Sequence, residues 1–266
     1  MDWKIRLQQD TEDFFSRKLP RDEFNFEIIY NAYPERIDNK VPKEVITFIA
    51  KTLAKKMAKK PMEYVEFYKY LWKKDDYGRW ALAYIMARVI KKDPVFFTDL
   101  IAGFLHKAKD PHDIILLLDK AVLPLLKKDT SKYLDMVMKW FKEDNEAVKE
   151  SLVKLLEKLM KFNPDLIKDI FKRLETYWFN PSAEMITANI RFLKVLGKID
   201  EEFYLSVYEK YKNTRQPDFV EILTGAIILY DEVIEQAVNM WVRSGNARLK
   251  RAALNGQKLL NRKKNG

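Results

Sequence analysis

Four of the six tryptophans in this chain recur at nearly regular intervals, and each of the four lies shortly before a signal for the start of a helix. Trp72 and Trp140 are 68 residues apart, or twice 34, and Trp178 and Trp241 are 63 apart. One degenerate unit near the middle of each long gap brings the successive spacings to 34, 34, 38, 33 and 30 residues. A period of roughly 20 to 50 residues is typical of stacked supersecondary units. The chain is therefore predicted to fold as an array of repeats.

Helix starts are marked by capping side chains that stand directly before a proline. An Asx oxygen accepts from the free N–H groups of a first turn, and proline there loses no needed donor. Such pairs occur at Asp93–Pro94, Asp110–Pro111, Asn163–Pro164 and Asn180–Pro181. Between the breaks, apolar residues follow helical spacing, and no segment alternates with period two. We predict an all-α protein with helices over about 22–32, 42–59, 61–73, 75–92, 94–108, 111–127, 130–142, 144–162, 164–179, 181–197, 200–212, 216–229, 231–243 and 245–262.

From residue 61 onward these helices pair as a first helix, a tight corner and a second helix. Each tryptophan ends a first helix, so we interpret the series as packing over the corners in preference to stacking on a ligand. The predicted fold is a right-handed superhelical α-α solenoid of about six to seven helix pairs. We expect one domain over 1–266, with N-terminal capping helices over 1–40, repeats over 41–262 and a basic tail over 263–266.

Several classes of site are excluded by composition. The chain has no cysteine, which excludes disulfides, zinc-thiolate sites and cysteine nucleophiles. Its two histidines form no recognisable metal-ligand pair, and no glycine-rich phosphate loop or nucleophile elbow is present. We predict neither a metal nor a cofactor. The start lacks the apolar stretch of a signal peptide and no apolar run nears the ~20 residues of a bilayer span, so we expect a cytoplasmic protein without a membrane partner.

The net charge of +10 is concentrated toward the two ends of the chain. Residues 51–92 carry 12 basic and 4 acidic side chains, a net of +8, and residues 236–266 carry 8 basic and no acidic ones. Lysine and arginine against phosphates release counterions and drive association with polyanions. The alternative is that these lysine-rich faces only keep the protein soluble.

The basic residues fall on two helix faces and one repeat corner. On the C-terminal helix they advance by three or four residues and so line one side. A second group lies on the predicted helix 42–59, and a third at the corner that follows Trp72. With Lys149 added to these groups, the predicted nucleic-acid-binding residues are Lys51, Lys55, Lys56, Lys59, Lys73, Lys74, Arg79, Lys149, Arg248, Arg251, Lys258 and Arg262.

The segment Asp144–Leu155 resembles the second helix of a HEAT repeat. It contains a capping Asp, a Val148–Lys149 pair, a small residue and then leucines, which is the order of that family. Looser copies lie at 76–83 and 244–254. The resemblance spans about 34–262 and implies HEAT-like helix pairs.

A narrower resemblance is to the bacterial DNA alkylation repair family of HEAT-like alkylpurine DNA glycosylases. That family has a Trp-Asp-x-x-Asp element, and Lys109-Asp110-Pro111-His112-Asp113 is similar to it at both acids but has lysine for the tryptophan. The resemblance implies that Asp113 is the catalytic carboxylate and that Lys149 stands where the family has its catalytic arginine. The helix beginning at Ser182 lacks the family's second active-site tryptophan. The alternative is that Asp110 only caps a helix and that the charge of Asp113, in the first turn, only interacts favourably with the helix dipole.

Three functions fit these patterns. The first is a nucleic-acid-binding solenoid that contacts the backbone of duplex DNA through a basic concave surface, in a DNA-repair context. The second is a protein-interaction scaffold that holds a partner in the concave groove without binding nucleic acid. The third is an alkylpurine DNA glycosylase, which leaves open whether the protein is an enzyme.

Overall fold

The computed structural model describes residues 2–19, 24–31 and 33–265. Within those ranges the chain is helical and forms no strand beyond one isolated bridge between Ile37 and Lys40, which confirms the predicted all-α class. The helices are α1 (Trp3–Lys18), α2 (Glu27–Asn31), α3 (Lys43–Met57), α4 (Val65–Lys74), α5 (Asp76–Val89), α6 (Pro94–His106), α7 (Pro111–Leu117), α8 (Leu123–Lys128), α9 (Thr130–Met138), α10 (Glu146–Phe162), α11 (Ile167–Leu174), α12 (Ala183–Ile199), α13 (Glu201–Tyr211), α14 (Pro217–Gly225), α15 (Glu232–Val242) and α16 (Ala247–Lys264).

The structure differs from two of the predictions made for the ends of the chain. The predicted helix 22–32 is reduced to α2, and residues 22, 23 and 32 lie outside the described residues. Helix α16 continues to Lys264, two residues into the segment predicted as a basic tail. No helix in the described part of the chain combines the length and apolar composition that crossing a bilayer requires.

The capping side chains account for most of the helix starts. Three predicted caps are confirmed by hydrogen bonds from first-turn N–H groups, at Asp93, Asp110 and Asn163. The cap predicted at Asn180 is wrong, because Asn180 adopts a left-handed φ of 50° and Ser182 caps α12 instead. Asparagine enters that region more readily than most residues. Helix α10 is likewise capped by Asn145 and not by the neighbouring Asp144.

The chain divides into two compact units, Met1–Glu143 and Asp144–Gly266. In the first unit α5 packs on α3, on α4 and on α7. In the second unit α10, α12, α14 and α16 pack on one another in that order, and α15 packs on α13 and α16. Rows in which the second helix of one pair packs on the second helix of the next are compatible with an α-solenoid.

The predicted helix 111–127 is interrupted by a π-helical turn, Leu118–Val122, between α7 and α8. Pro124 has no N–H to donate to the carbonyl of Lys120, and its ring crowds that turn. A wider turn just before the proline relieves both problems, and such turns often occur at functional sites. Lys120 therefore lies on a locally widened part of the helix.

The corner tryptophans divide into two kinds. Trp140, Trp178 and Trp241 are buried, which confirms that they pack over the corners. Trp178 is fully buried, and its indole donates a hydrogen bond to Asn189 Oδ1 at 3.2 Å. Trp72 is only half-buried. Its ring borders a cavity of the first unit.

Candidate nucleic-acid interface

The first unit contains a cavity of about 680 Å³ where the C-terminal ends of α4 and α6 meet the N-terminal ends of α5 and α7. We call it the corner cavity. Three of the predicted site residues line it together, Lys73, Arg79 and Asp113. They come from three different helices or helix ends, so this convergence is a product of the tertiary structure.

Asp113 and Arg79 form a close ion pair in the corner cavity. Asp113 Oδ2 lies 2.5 Å from Arg79 Nε, and the two side chains are 9% and 24% exposed. The Nη2 of Arg79 also donates to Asp76 Oδ1 at 2.5 Å, so the guanidinium lies between two carboxylates. Burial raises the pKa of Asp113 above its ordinary value, and the Arg79 guanidinium only partly offsets that effect. Asp113 therefore faces the cavity, while the capping role belongs to Asp110.

One wall of the corner cavity is aromatic. The Trp72 indole stacks on the buried ring of Phe104, with centroids 5.5 Å apart and an interplanar angle of 25°. Gly103 lines the same wall, and a Cβ built on it would meet no atom within 4 Å. The wall thus offers a ring face beside open space. The sequence analysis did not predict this role for Trp72. A signal was present, because the buried residues of α4 are at positions 67, 68 and 71, and Trp72 lies beside that buried face and not within it.

The rim of the corner cavity is basic. Four exposed lysines line it, Lys69, Lys73, Lys107 and Lys109. Together with Arg79 they give five cationic side chains against three carboxylates, Asp99, Asp110 and Asp113, a net of +2. Lys69 also pairs with Glu66 at 2.7 Å. Of these lysines only Lys73 was predicted, because the others belong to no run of basic residues.

The remaining predicted residues of the first unit are dispersed. Lys51 faces the ring of Tyr84 at 5.8 Å in a groove between α3 and α5. Lys55 and Lys59 are exposed, whereas Lys56 lies 4.0 Å from Glu12 of α1. Lys74 is 15% exposed and bonds Glu27 at 2.7 Å, so it ties α4 to α2. The group of basic residues predicted on α3 therefore meets two different neighbours, α5 at Lys51 and α1 at Lys56.

The second unit holds the other predicted residues. Lys149 pairs with Glu146 at 2.7 Å, and Ser182 donates to the same carboxylate, which together lower the pKa of Glu146 despite its partial burial. Arg248 pairs with Asp218 at 2.7 Å and Glu221 at 2.9 Å. Arg251, Lys258 and Arg262 are exposed and form no ion pair within the described ranges. Lys149 thus belongs to a different unit from Asp113.

Comparison with known protein families, with curated proteins and with solved structures finds no match for this chain. Among the residues that the structure describes, no group of three or more His, Cys, Asp or Glu side chains could hold a metal ion.

The raised pKa of Asp113 predicts a pH-dependent effect on stability. A carboxyl whose pKa is higher in the folded state contributes stability at pH below the unfolded value, about 3.9, and this contribution is lost as pH rises through the folded value. As the pH rises from 3 to 7, the free energy of unfolding of the wild type should therefore decrease relative to that of Asp113→Asn. Urea unfolding of both proteins across that range measures it, and a constant difference would contradict the prediction.

Proposed function

We propose that this protein binds nucleic acid through the corner cavity and the basic surfaces of its first unit. The observation that carries the proposal is the ring face of Trp72 set among Lys69, Lys73, Lys107 and Lys109. Ammonium groups contact phosphates without regard to sequence, and aromatic faces stack on bases. A protein scaffold is the competing hypothesis. We favour nucleic acid because one partner then uses both the lysines and the flat aromatic face.

The proposal extends to the architecture. We propose that the helix pairs continue as a right-handed superhelical α-α solenoid of about six to seven HEAT-like pairs, related to the DNA alkylation repair family. The rows α3–α5–α7 and α10–α12–α14–α16 support this arrangement. The proposed ligand is the backbone of duplex DNA, which a basic concave surface would contact.

Salt dependence of binding tests the proposal. If the four rim lysines each neutralise one phosphate, the slope of log K against log salt is about −3.6, which means about 150-fold weaker binding at 200 mM than at 50 mM salt. The affinity for a fluorescent duplex, measured by polarisation at both salt concentrations, checks this. Absence of binding to duplex and single strands at the lower concentration would reject the proposal.

Base excision is a second candidate function, and the position of Asp113 favours it. The sequence departs from the repair family where Lys109 replaces its tryptophan and Lys149 its arginine. In the corner cavity an aromatic ring and a guanidinium come instead from Trp72 and Arg79. An ionised Asp113 could stabilise positive charge that develops on the sugar as the bond to an alkylated base breaks.

Release of free base tests this second candidate. Duplex DNA with an alkylated purine is incubated with the protein, and the free base is separated by chromatography. We expect release by the wild type and a loss of about 10²-fold or more in Asp113→Asn. Asp99→Asn is the matched control, since Asp99 is an exposed carboxyl of the same cavity. No release by the wild type, or equal release by Asp113→Asn, would reject excision and leave binding in place.

A further inference from the structure

A second surface of the first unit combines aromatic rings with lysines in a groove along α3 and α5, beside the start of α1. We call it the aromatic groove. It encloses about 780 Å³, and its aromatic residues are Trp3, Phe48, Trp80 and Tyr84. All four are half-buried, so their rings are held by the fold and still reach the groove. It is lined by different residues from the corner cavity.

The rings of the aromatic groove are held in place by contacts with neighbouring helices. The indole Nε1 of Trp80 donates to Thr47 Oγ1 at 2.8 Å, which satisfies its only polar atom. Trp80 and Tyr84 lie one turn apart on α5 with centroids 5.7 Å apart. Trp3 contacts Phe48 edge-on at 6.0 Å. These residues therefore present mainly aromatic ring surface to a ligand in the groove.

Lysines lie over these rings without a carboxylate partner. Lys43 Nζ is 4.3 Å from the Trp80 centroid, and Lys51 and Lys120 are 5.8 and 5.0 Å from that of Tyr84. None of the three forms an ion pair with any residue in the described part of the chain. Glu44 is the one carboxylate among the residues that line the groove. The surface is therefore complementary to an anion.

The cations are also spaced for an extended ligand. Lys43 and Lys51 both line the groove and are eight residues apart on α3, which separates them by about 12 Å along the helix axis. Lys120 adds a cation from the π-helical turn of the neighbouring helix. A chain with regularly spaced charges fits this row better than a compact anion does.

We infer that the aromatic groove binds a single-stranded segment of nucleic acid, an inference that rests on the proposed function. Unpaired bases stack on Trp80 and Tyr84, while the lysines move from the ring faces to the phosphates. In a duplex the base faces are covered by neighbouring bases except where a single nucleotide is extruded, which suits the one ring face of the corner cavity. A row of rings needs successive unpaired bases, so the aromatic groove fits an unpaired segment. An acidic peptide would satisfy the lysines and leave the rings without planar partners.

The experiment compares a fluorescent single-stranded 12-mer of thymidine with a duplex of matched length, measured by polarisation over a range of salt. We expect the wild type to favour the single strand. Tyr84→Ala should weaken single-strand binding by about 5- to 150-fold, the range for loss of one stacked base, and leave duplex binding unchanged. Tyr84→Phe keeps the ring and should retain the affinity.

A second variant keeps all four aromatic side chains of the groove and removes only the cations. Replacing Lys43, Lys51 and Lys120 together by Gln should flatten the single-strand salt slope by about 2, from −0.7 for each phosphate contact. The matched control replaces Lys91, Lys92 and Lys172 by Gln, which are exposed and lie outside both sites. Circular dichroism verifies that each variant is folded.

The outcomes separate the inference from the proposed function. If the wild type binds nucleic acid but neither Tyr84→Ala nor the triple lysine variant weakens single-strand binding, the inference is overturned and the proposed function stands. If a glutamate 12-mer competes as well as the oligonucleotide and Tyr84→Ala does not change single-strand affinity, the groove recognises only negative charge. That result also overturns the inference. If the wild type binds neither form, the proposed function fails and the inference fails with it.

Discussion

Replacement of Trp178 by Ala is expected to destabilise the protein by about 3–5 kcal/mol, the usual range for removal of a fully buried large aromatic side chain. Trp178 has no exposed surface, and its ring meets Phe171 and Phe219 edge-on at 5.5 Å. The truncation would leave a cavity between these rings. It would also remove the donor to Asn189, whose buried Oδ1 would then lack this hydrogen bond.

Trp72→Ala is the matched control, because Trp72 ends a first helix as Trp178 does. Its ring is half-buried and faces the corner cavity, so we expect a cost below about 2 kcal/mol. Urea unfolding followed by far-ultraviolet circular dichroism compares the two variants with the wild type. Equal destabilisation by the two substitutions would contradict the division into a packing tryptophan and a site-facing one.

The second large effect is expected for nucleic-acid binding. Replacement of Lys69, Lys73, Lys107 and Lys109 together by Gln removes the cationic rim of the corner cavity. Each lost phosphate contact reduces the salt slope by about 0.9, so loss of all four contacts should flatten the slope for duplex DNA by about 3.6. At ~0.1 M salt the affinity should decrease by about 10²-fold or more, because the release of four counterions is lost. Fluorescence polarisation over a salt series measures both quantities.

A control with the same change of net charge distinguishes local contacts from the general field of the protein. Lys91, Lys92, Lys172 and Lys198 are exposed lysines outside the corner cavity and the aromatic groove. Their replacement by Gln should reduce affinity by no more than a few-fold, through the weaker long-range field. If this control lost as much affinity as the rim variant, the corner cavity would not be the contact surface.

The helices were predictable because their signals are local. A capping side chain such as Asp110 and the apolar stripe behind it act within a few residues, so the sequence pattern is sufficient. The errors were local too: Ser182 and Asn145 cap one or two residues away from the predicted Asn180 and Asp144. Propensity alone does not choose between adjacent capping residues.

The candidate site was predictable only residue by residue. Arg79 and Asp113 are 34 residues apart, which is one repeat, and they meet because equivalent positions of stacked pairs are neighbours. Thr47 and Trp80 are 33 apart and meet for the same reason. The repeat length therefore held a signal for these contacts that the charge pattern did not use. The same spacing relates Trp72 to Phe104, 32 residues later, and Lys73 to Lys107, 34 residues later. Lys69 had no such signal, because no local pattern distinguishes it from other surface lysines.

The sequence by itself determined the helices, the corners and the residue types placed at each corner, because capping and amphipathic spacing depend on near neighbours. The tertiary structure decided which corner residue became core and which faced a cavity. Trp178 is enclosed because Phe219 and Asn189 pack against it from the following helices. Trp72 is left open beside Gly103, which has no side chain to fill the space. Those partners lie 11 to 41 residues away along the chain, beyond the reach of any local pattern.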